Sequence, residues 1–160
     1  MPMILLDKNR IDRTLKRMAY QILEEAHDHS IHLAGINQRG LAVANKIQSF
    51  LEKASGKKVP LTGISSKNES PVQITTNPEN VLLVIIDDVI FSGGTVFNSM
   101  TQIRNLSEFK NIIVTVLVDR GHRKYPVLAS IVGFHLPTKL NEHVSLQIED
   151  GQPFSVKLTK

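Results

Sequence analysis

The order of apolar and polar positions divides the chain into alternating helical and extended stretches. After Asp7, the residues Ile11, Leu15, Met18, Ile22 and Ala26 recur at intervals of three or four, with Lys and Arg on the other side. With Asp7 as N-cap, this spacing predicts an amphipathic helix of about five turns. The apolar run HSIHLAGI at 29–36 predicts a short buried strand. Asn37-Gln38-Arg39-Gly40 reads as a turn. Leu41, Ala44, Ile47, Gln48 and Leu51 then begin a second helix, which should end near Ser55-Gly56.

Lys58 to Ile64 predicts a strand with an irregular start at Pro60. Residues 65–80 are polar and interrupted by Pro71 and Pro78, which gives a loop with a short strand at 72–75. Val81 to Ile86 is an unbroken apolar run and the strongest strand signal in the chain. Thr95 to Leu106 predicts a helix with Val96, Met100 and Ile103 inward, and Ile112 to Val118 another buried strand. Ala129–Phe134, Val144–Ile148 and Phe154–Leu158 give weaker strand signals. Strands apolar on both faces, alternating with helices, indicate an α/β domain with a mainly parallel sheet, spanning 1–160 as one domain. From Arg120 onward strands come without a helix, so an antiparallel appendage or flap is expected there.

Composition narrows the chemistry only a little. The 160 residues are 41% hydrophobic and 21% charged, ordinary values for a globular domain. There is no cysteine, which excludes disulfides and thiolate metal sites and fits a cytoplasmic setting. The opening residues, MPMILLDKNR, are too briefly apolar for a signal peptide, and no run reaches the roughly 20 residues of a membrane span. The net charge of +4 permits phosphate-bearing metabolites, nucleic acid or anionic lipid as partners and selects none. The excess lies in Lys8, Arg10, Arg13, Lys16 and Arg17, and again around Arg120, Arg123 and Lys124. The histidines show no metal-ligand spacing.

The informative stretch is VIIDDVIFSGGTV, residues 84–96. Two adjacent acids, Asp87 and Asp88, end the most hydrophobic strand, and a small-residue turn leads into a helix. In open α/β sheets, ligands bind beyond the carboxyl ends of the strands. The glycines of Ser92-Gly93-Gly94-Thr95 let backbone N–H groups approach a ligand, and a helix N-terminus adds partial positive charge. Those features suit a phosphate; carboxylates suit hydroxyls or Mg²⁺. A ribose 5-phosphate satisfies both, with its diol on the acids and its phosphate in the turn. Neither Gly-x-x-x-x-Gly-Lys-Ser/Thr nor Gly-x-Gly-x-x-Gly occurs, which sets aside a Walker loop and a dinucleotide fingerprint.

This stretch resembles the signature of type I phosphoribosyltransferases, enzymes that use phosphoribosyl pyrophosphate (PRPP). GINQRGLAVANKI (35–47) is similar to the pyrophosphate loop of that fold and its following helix. VLVDRGHRKYP (116–126) and HLPT (135–138) resemble the PyrR branch, pyrimidine operon regulators that are also uracil phosphoribosyltransferases. The resemblance runs from the first helix to about Ile148. It implies a type I phosphoribosyltransferase-like fold, a mainly parallel central sheet flanked by helices with a small C-terminal or hood appendage. It also implies transfer of the phosphoribosyl group from PRPP to uracil, giving UMP and pyrophosphate with Mg²⁺. PRPP would be bound by Asp87, Asp88, Val89, Ser92, Gly93, Gly94 and Thr95, with Mg²⁺ or the ribose hydroxyls on the two acids. Pyrophosphate would face Asn37, Gln38, Arg39 and Gly40, where the Arg39 fork can pair phosphate oxygens. Asp119, Arg120, His122 and Arg123 would lie on the base or pyrophosphate side. Asp87, Asp88 and Arg39 are the expected catalytic residues. A nucleobase or UMP, a homo-oligomer and RNA are the implied partners.

Three features depart from that pattern. Gly94 stands where the family usually has Arg in the phosphate turn, which removes a side-chain donor. Residues 65–80 are much shorter than the usual hood loop over PRPP. DGQPFSVKL at the C-terminal end matches poorly. The alternative expectation is therefore a PRPP- or nucleotide-binding regulator with weakened catalysis, binding RNA through its basic surface. No RRM-like or KH-like pattern accompanies it, and aromatics are only 5% of the chain, few for base stacking.

Overall fold

The computed structural model describes residues 2–67 and 71–160. Its centre is a five-stranded, wholly parallel sheet built of β2 (Ser30–Ile36), β3 (Leu61–Ile64), β4 (Val81–Ile90), β5 (Asn111–Asp119) and β6 (Ile131–His135) in the order β3-β2-β4-β5-β6. The apolar run of β4 is buried on both faces. Leu82, Val84 and Ile86 point into one core with helix α1 (Lys8–Ala26) and helix α2 (Asn37–Ser55). Val81, Leu83 and Ile85 point into the other with Val96 of helix α3 (Gly94–Thr101), Ile74, Ile103 and Phe109. The period of two along a strand explains why an unbroken apolar run serves two cores.

Asp7 caps α1 by accepting the Arg10 N–H at 2.8 Å, and Gly56, in the left-handed conformation at φ 72°, closes α2. Both agree with the sequence. The appendage is a separate antiparallel sheet, ordered β1-β8-β7, of β1 (Met3–Leu6), β7 (His143–Glu149) and β8 (Gln152–Thr159). Asp150 and Gly151 both have positive φ, the geometry of a two-residue hairpin turn. Leu6, Leu146 and Val156 seat this hood on the α1–α2 side of the core.

Several boundaries move. Met3–Leu6, read as a mere apolar prelude, is a strand, because β8 supplies the partner that a four-residue segment lacks alone. Asn37–Gly40 is not a free turn. Asn37 makes a one-residue corner at φ 55° and α2 begins there directly. The 58–64 strand starts only at Leu61, after Pro60. Residues 72–75 make one bridge, Val72 to Ile103, instead of a strand. The helix predicted over 95–106 spans Gly94–Thr101, and a 3₁₀ turn at Leu106–Glu108 follows. Asn105 sits between the two, its buried side chain accepting from Ile74 N (3.1 Å) and donating to Ile74 O (2.8 Å). An amide that pairs with the 71–76 segment this way competes with continuation of a helix. Among the described residues, no helix is long and apolar enough to cross a membrane.

Candidate active site

The two acids at the end of β4 have different environments. Asp87 is 4% exposed, and its Oδ1 accepts the Asp88 N–H at 2.8 Å. Burial, then the neighbouring Asp88 charge, pushes the Asp87 carboxyl well above the usual range. Asp88 is only half-buried. It opens into a cleft of about 280 Å³ that is also lined by Asn37, Gln38, Arg39, Asp87 and Thr95. A smaller hollow of about 90 Å³ adjoins it, lined by Asp87, Val89 and the run from Ile90 to Val96. The structure therefore brings the acids, the glycine turn and the start of α2 to one place.

Close packing builds the floor. A Cβ on Gly40 would lie 2.8 Å from the Ile86 carbonyl oxygen and 3.3 Å from Asp87 Oδ1. Only glycine lets the first turn of α2 approach the end of β4 so closely. Asn37, at its left-handed corner, donates to Ser66 Oγ (3.0 Å) and accepts the Ser66 N–H (3.1 Å), which ties the segment after β3 to the rim. Arg39 is exposed and donates through Nε to the Leu146 carbonyl of β7 at 3.0 Å. That bond joins the cleft to the hood and uses one of five N–H donors on the guanidinium.

The glycine turn is braced from behind. Gly93, at φ 87°, caps α3, and Ser92 Oγ accepts the Gly94 N–H at 3.2 Å. The Ser92 carbonyl accepts from the N–H groups of Lys124 (2.9 Å) and Tyr125 (3.0 Å). Arg123 donates to the Phe91 carbonyl at 2.8 Å and pairs with Asp119 at 2.7 Å. Burial raises the Asp119 carboxyl, but the Arg123 and Gly121 hydrogen bonds and the Arg123 charge outweigh it, so Asp119 sits below the usual range. Gly94 faces Tyr125, whose Cε2 would be 3.2 Å from an added Cβ. Tyr125 in turn stacks on Phe97 at 5.1 Å.

The Asp119–Arg123 segment thus lies beside the glycine turn, and Arg120 and His122, like Arg123, bond to protein. Arg120 is 7% exposed; its Nε donates to Thr138 Oγ1 (2.7 Å), and its NH2 reaches the carbonyls of Lys139 (3.4 Å) and Glu142. Its guanidinium lies over the Phe91 ring at 4.1 Å. His122, at φ 61°, places Nε2 2.6 Å from the Thr138 carbonyl and its ring 5.1 Å from Phe91. Thr138 belongs to the HLPT stretch but had no role of its own there, and the sequence did not point to Glu142, Ser66 or the Leu146 carbonyl. Their parts in the site are pairings across 16 to 107 positions of chain, and no local spacing encodes those.

The site has the layout of a phosphoribosyltransferase, and a match agrees with that class. The model of the phosphoribosyl transferase domain matches residues 4–145, nearly the whole chain, so this protein belongs to that family. Within it, the chain groups with the proteins named bifunctional protein PyrR. It is 36% identical to that of Macrococcus caseolyticus over 92% of either chain. It is 33% identical to that of Elusimicrobium minutum over the whole of this chain and 98% of the other. Solved structures share the fold. A hypoxanthine phosphoribosyltransferase of Trypanosoma cruzi superposes with a TM-score of 0.72 at 16% identity, covering 97% of this chain and 94% of that one. A hypoxanthine-guanine phosphoribosyltransferase of Bacillus anthracis gives 0.71 at 20% identity, covering 99% and 97%. The protein is a PyrR-like phosphoribosyltransferase acting on PRPP.

Proposed function

We propose that the base is uracil and the product UMP, made in the cleft between Asp88 and the start of α2. The observation that carries the site is the convergence of Asp87, Asp88, Thr95 and Asn37–Arg39 on one cleft beside the Ser92–Thr95 turn, and uracil as the base follows from the likeness to the PyrR proteins. In it, N–H groups at the start of α3 and the hydroxyls of Ser92 and Thr95 hold the 5-phosphate. The half-buried Asp88 carboxylate takes the ribose hydroxyls. Gln38 and Arg39 face the pyrophosphate, with Asn37 and Gly40 shaping the rim.

The donor set fits Mg²⁺. Among the described residues, no group of three or more His, Asp or Glu could hold a metal. Mg²⁺ needs only one or two carboxylates when substrate phosphates and waters complete its shell. Asp88, backed by Asp87, is where it would be held, and it would supply charge neutralisation on the departing pyrophosphate. In the reaction, uracil N1 bonds to the ribose C1 and the C1–oxygen bond to pyrophosphate breaks. The pyrophosphate leaves with the electron pair, and the N1 proton passes to solvent water. The protein's work is orientation and stabilisation of an oxocarbenium-like state by Asp88, the phosphate turn and Arg39. No nucleophilic side chain is required. A cytoplasmic setting and a homo-oligomer accompany this reading; exposed Ile4 and Phe154 lie together on the hood.

The test is pyrophosphate release from PRPP with Mg²⁺ and a panel of bases, comparing the native protein with Asp88→Asn. Uracil-dependent release that falls about 100-fold or more in Asp88→Asn, with an unchanged melting temperature, is expected. Release with another base only, or an undiminished rate in the variant, refutes the assignment.

A further inference from the structure

Arg120 lies next to the cleft without lining it, and its bonds connect two segments far apart in sequence. Its backbone N–H holds the Ile90 carbonyl at 2.9 Å, one residue before Phe91. Its side chain grips the turn at 138–142 through Thr138 Oγ1 and the carbonyls of Lys139 and Glu142. That turn is closed on itself. Glu142 Oε1 accepts the Lys139 N–H at 2.7 Å, and the Glu142 N–H donates to the Lys139 carbonyl at 3.0 Å. The flat face of the same guanidinium covers the Phe91 ring, and His122 covers Phe91 as well while bonding to the Thr138 carbonyl. Only a planar, forked cation can serve three acceptors along one edge and an aromatic ring on its face.

We propose that Arg120 is a positioning residue. It holds the 138–142 turn at a fixed distance from the phosphate turn and so sets the base side of the site, without touching substrate. This rests on the phosphoribosyltransferase reading above and takes the 119–123 segment as the base side, where the resemblance named the base or pyrophosphate side. The phosphate turn does not need Arg120, because Arg123 and the N–H groups of Lys124 and Tyr125 hold Phe91 and Ser92 independently. Loss of the fork should therefore weaken recognition of the base and spare recognition of the phosphate.

Calorimetry with two ligands separates those effects. Ribose 5-phosphate offers sugar and phosphate; UMP adds the base. The ratio of their affinities reads the base side whether or not turnover occurs. Arg120→Lys keeps the charge and loses the fork, and Thr138→Val removes only the Nε acceptor. Asn105→Ala, which unpins the 71–76 segment, controls for loss of a buried polar anchor elsewhere. The expected result is a fall in the UMP to ribose 5-phosphate ratio of about tenfold in Arg120→Lys and about threefold in Thr138→Val. Ribose 5-phosphate binding should stay within about twofold, and Asn105→Ala should lower the melting temperature with the ratio unmoved. An unchanged ratio in Arg120→Lys overturns the proposal, as does parallel loss of both ligands in step with melting temperature. Native protein that binds UMP no more tightly than ribose 5-phosphate overturns the base side itself. Absence of transfer with a normal ratio counts against the catalytic reading alone.

Discussion

Asp87 and Asp88 are adjacent and chemically identical, yet burial separates their roles. Asp87 lies under Gly40 and serves as floor; Asp88 faces the cleft. The contact at Gly40 leaves no room for a methyl group. Gly40→Ala is expected to destabilise the fold by about 1–3 kcal/mol, since an added Cβ at 2.8 Å from the Ile86 oxygen forces α2 outward. It should also lower turnover more than melting temperature alone explains, because Arg39 moves with the helix. Denaturant titration and initial rates check both parts.

His32 supplies a second test at this scale. It is 2% exposed, with Nδ1 2.5 Å from Thr76 Oγ1 and Nε2 2.7 Å from Thr62 Oγ1. Burial lowers its pKa, so the folded state holds it neutral where an unfolded chain would take a proton. The sign follows from proton counts. Stability from this group is fully present above the ordinary histidine value of about 6.5 and falls as pH drops below it, toward the lower folded value. Urea midpoints should therefore decline from pH 7 to 5.5, and His32→Asn should flatten that decline even though it is less stable at pH 7. An identical slope in the variant would assign the pH dependence to other groups.

At the scale of elements, the site depends on how strands end and helices begin. The carboxyl end of β4, the first turn of α2 and the first turn of α3 meet because the sheet is parallel and the order β3-β2-β4-β5-β6 puts β4 in the middle. The periodicity of α1, the capping by Asp7, the β4 run and the glycine turn were all legible, because each is a pattern within about ten residues. The end of α3 was not. Val96, Met100 and Ile103 keep helical spacing, but the pairing of Asn105 with Ile74 stops the helix at Thr101. The same holds for Arg120: a basic residue after a buried strand at the ligand edge reads as lying on the base or pyrophosphate side, and its three partners at 138–142 are not legible in the local sequence.

The whole molecule is a core sheet with a hood whose first strand and last two strands come from opposite ends of the described chain. Leu6, Leu146 and Val156 connect that hood to the α1–α2 core, and Arg39 connects it to the cleft. Removal of residues 2–6 should therefore act at a distance. It takes Leu6 from the core and uncovers the edge of β8, with an expected loss of about 2–5 kcal/mol. It should also raise KM for PRPP by loosening β7 under Arg39. Thermal melting and PRPP-dependent kinetics of the truncated chain test this. Normal kinetics in a truncated protein that still folds would separate the hood from the site.

The sequence by itself determined the class of fold and pointed to the residues of the candidate site. Hydrophobic period, the acids at the end of β4 and the turn Ser92–Thr95 are local, and local patterns survive in one dimension. Tertiary structure decided which acid is buried, that Asn37 opens a helix, that Met3–Leu6 is a strand, and that Arg39 and Arg120 bond across more than 100 and about 20 positions. Burial and pairing are properties of neighbours in space, and the residues that fix them here are distant along the chain.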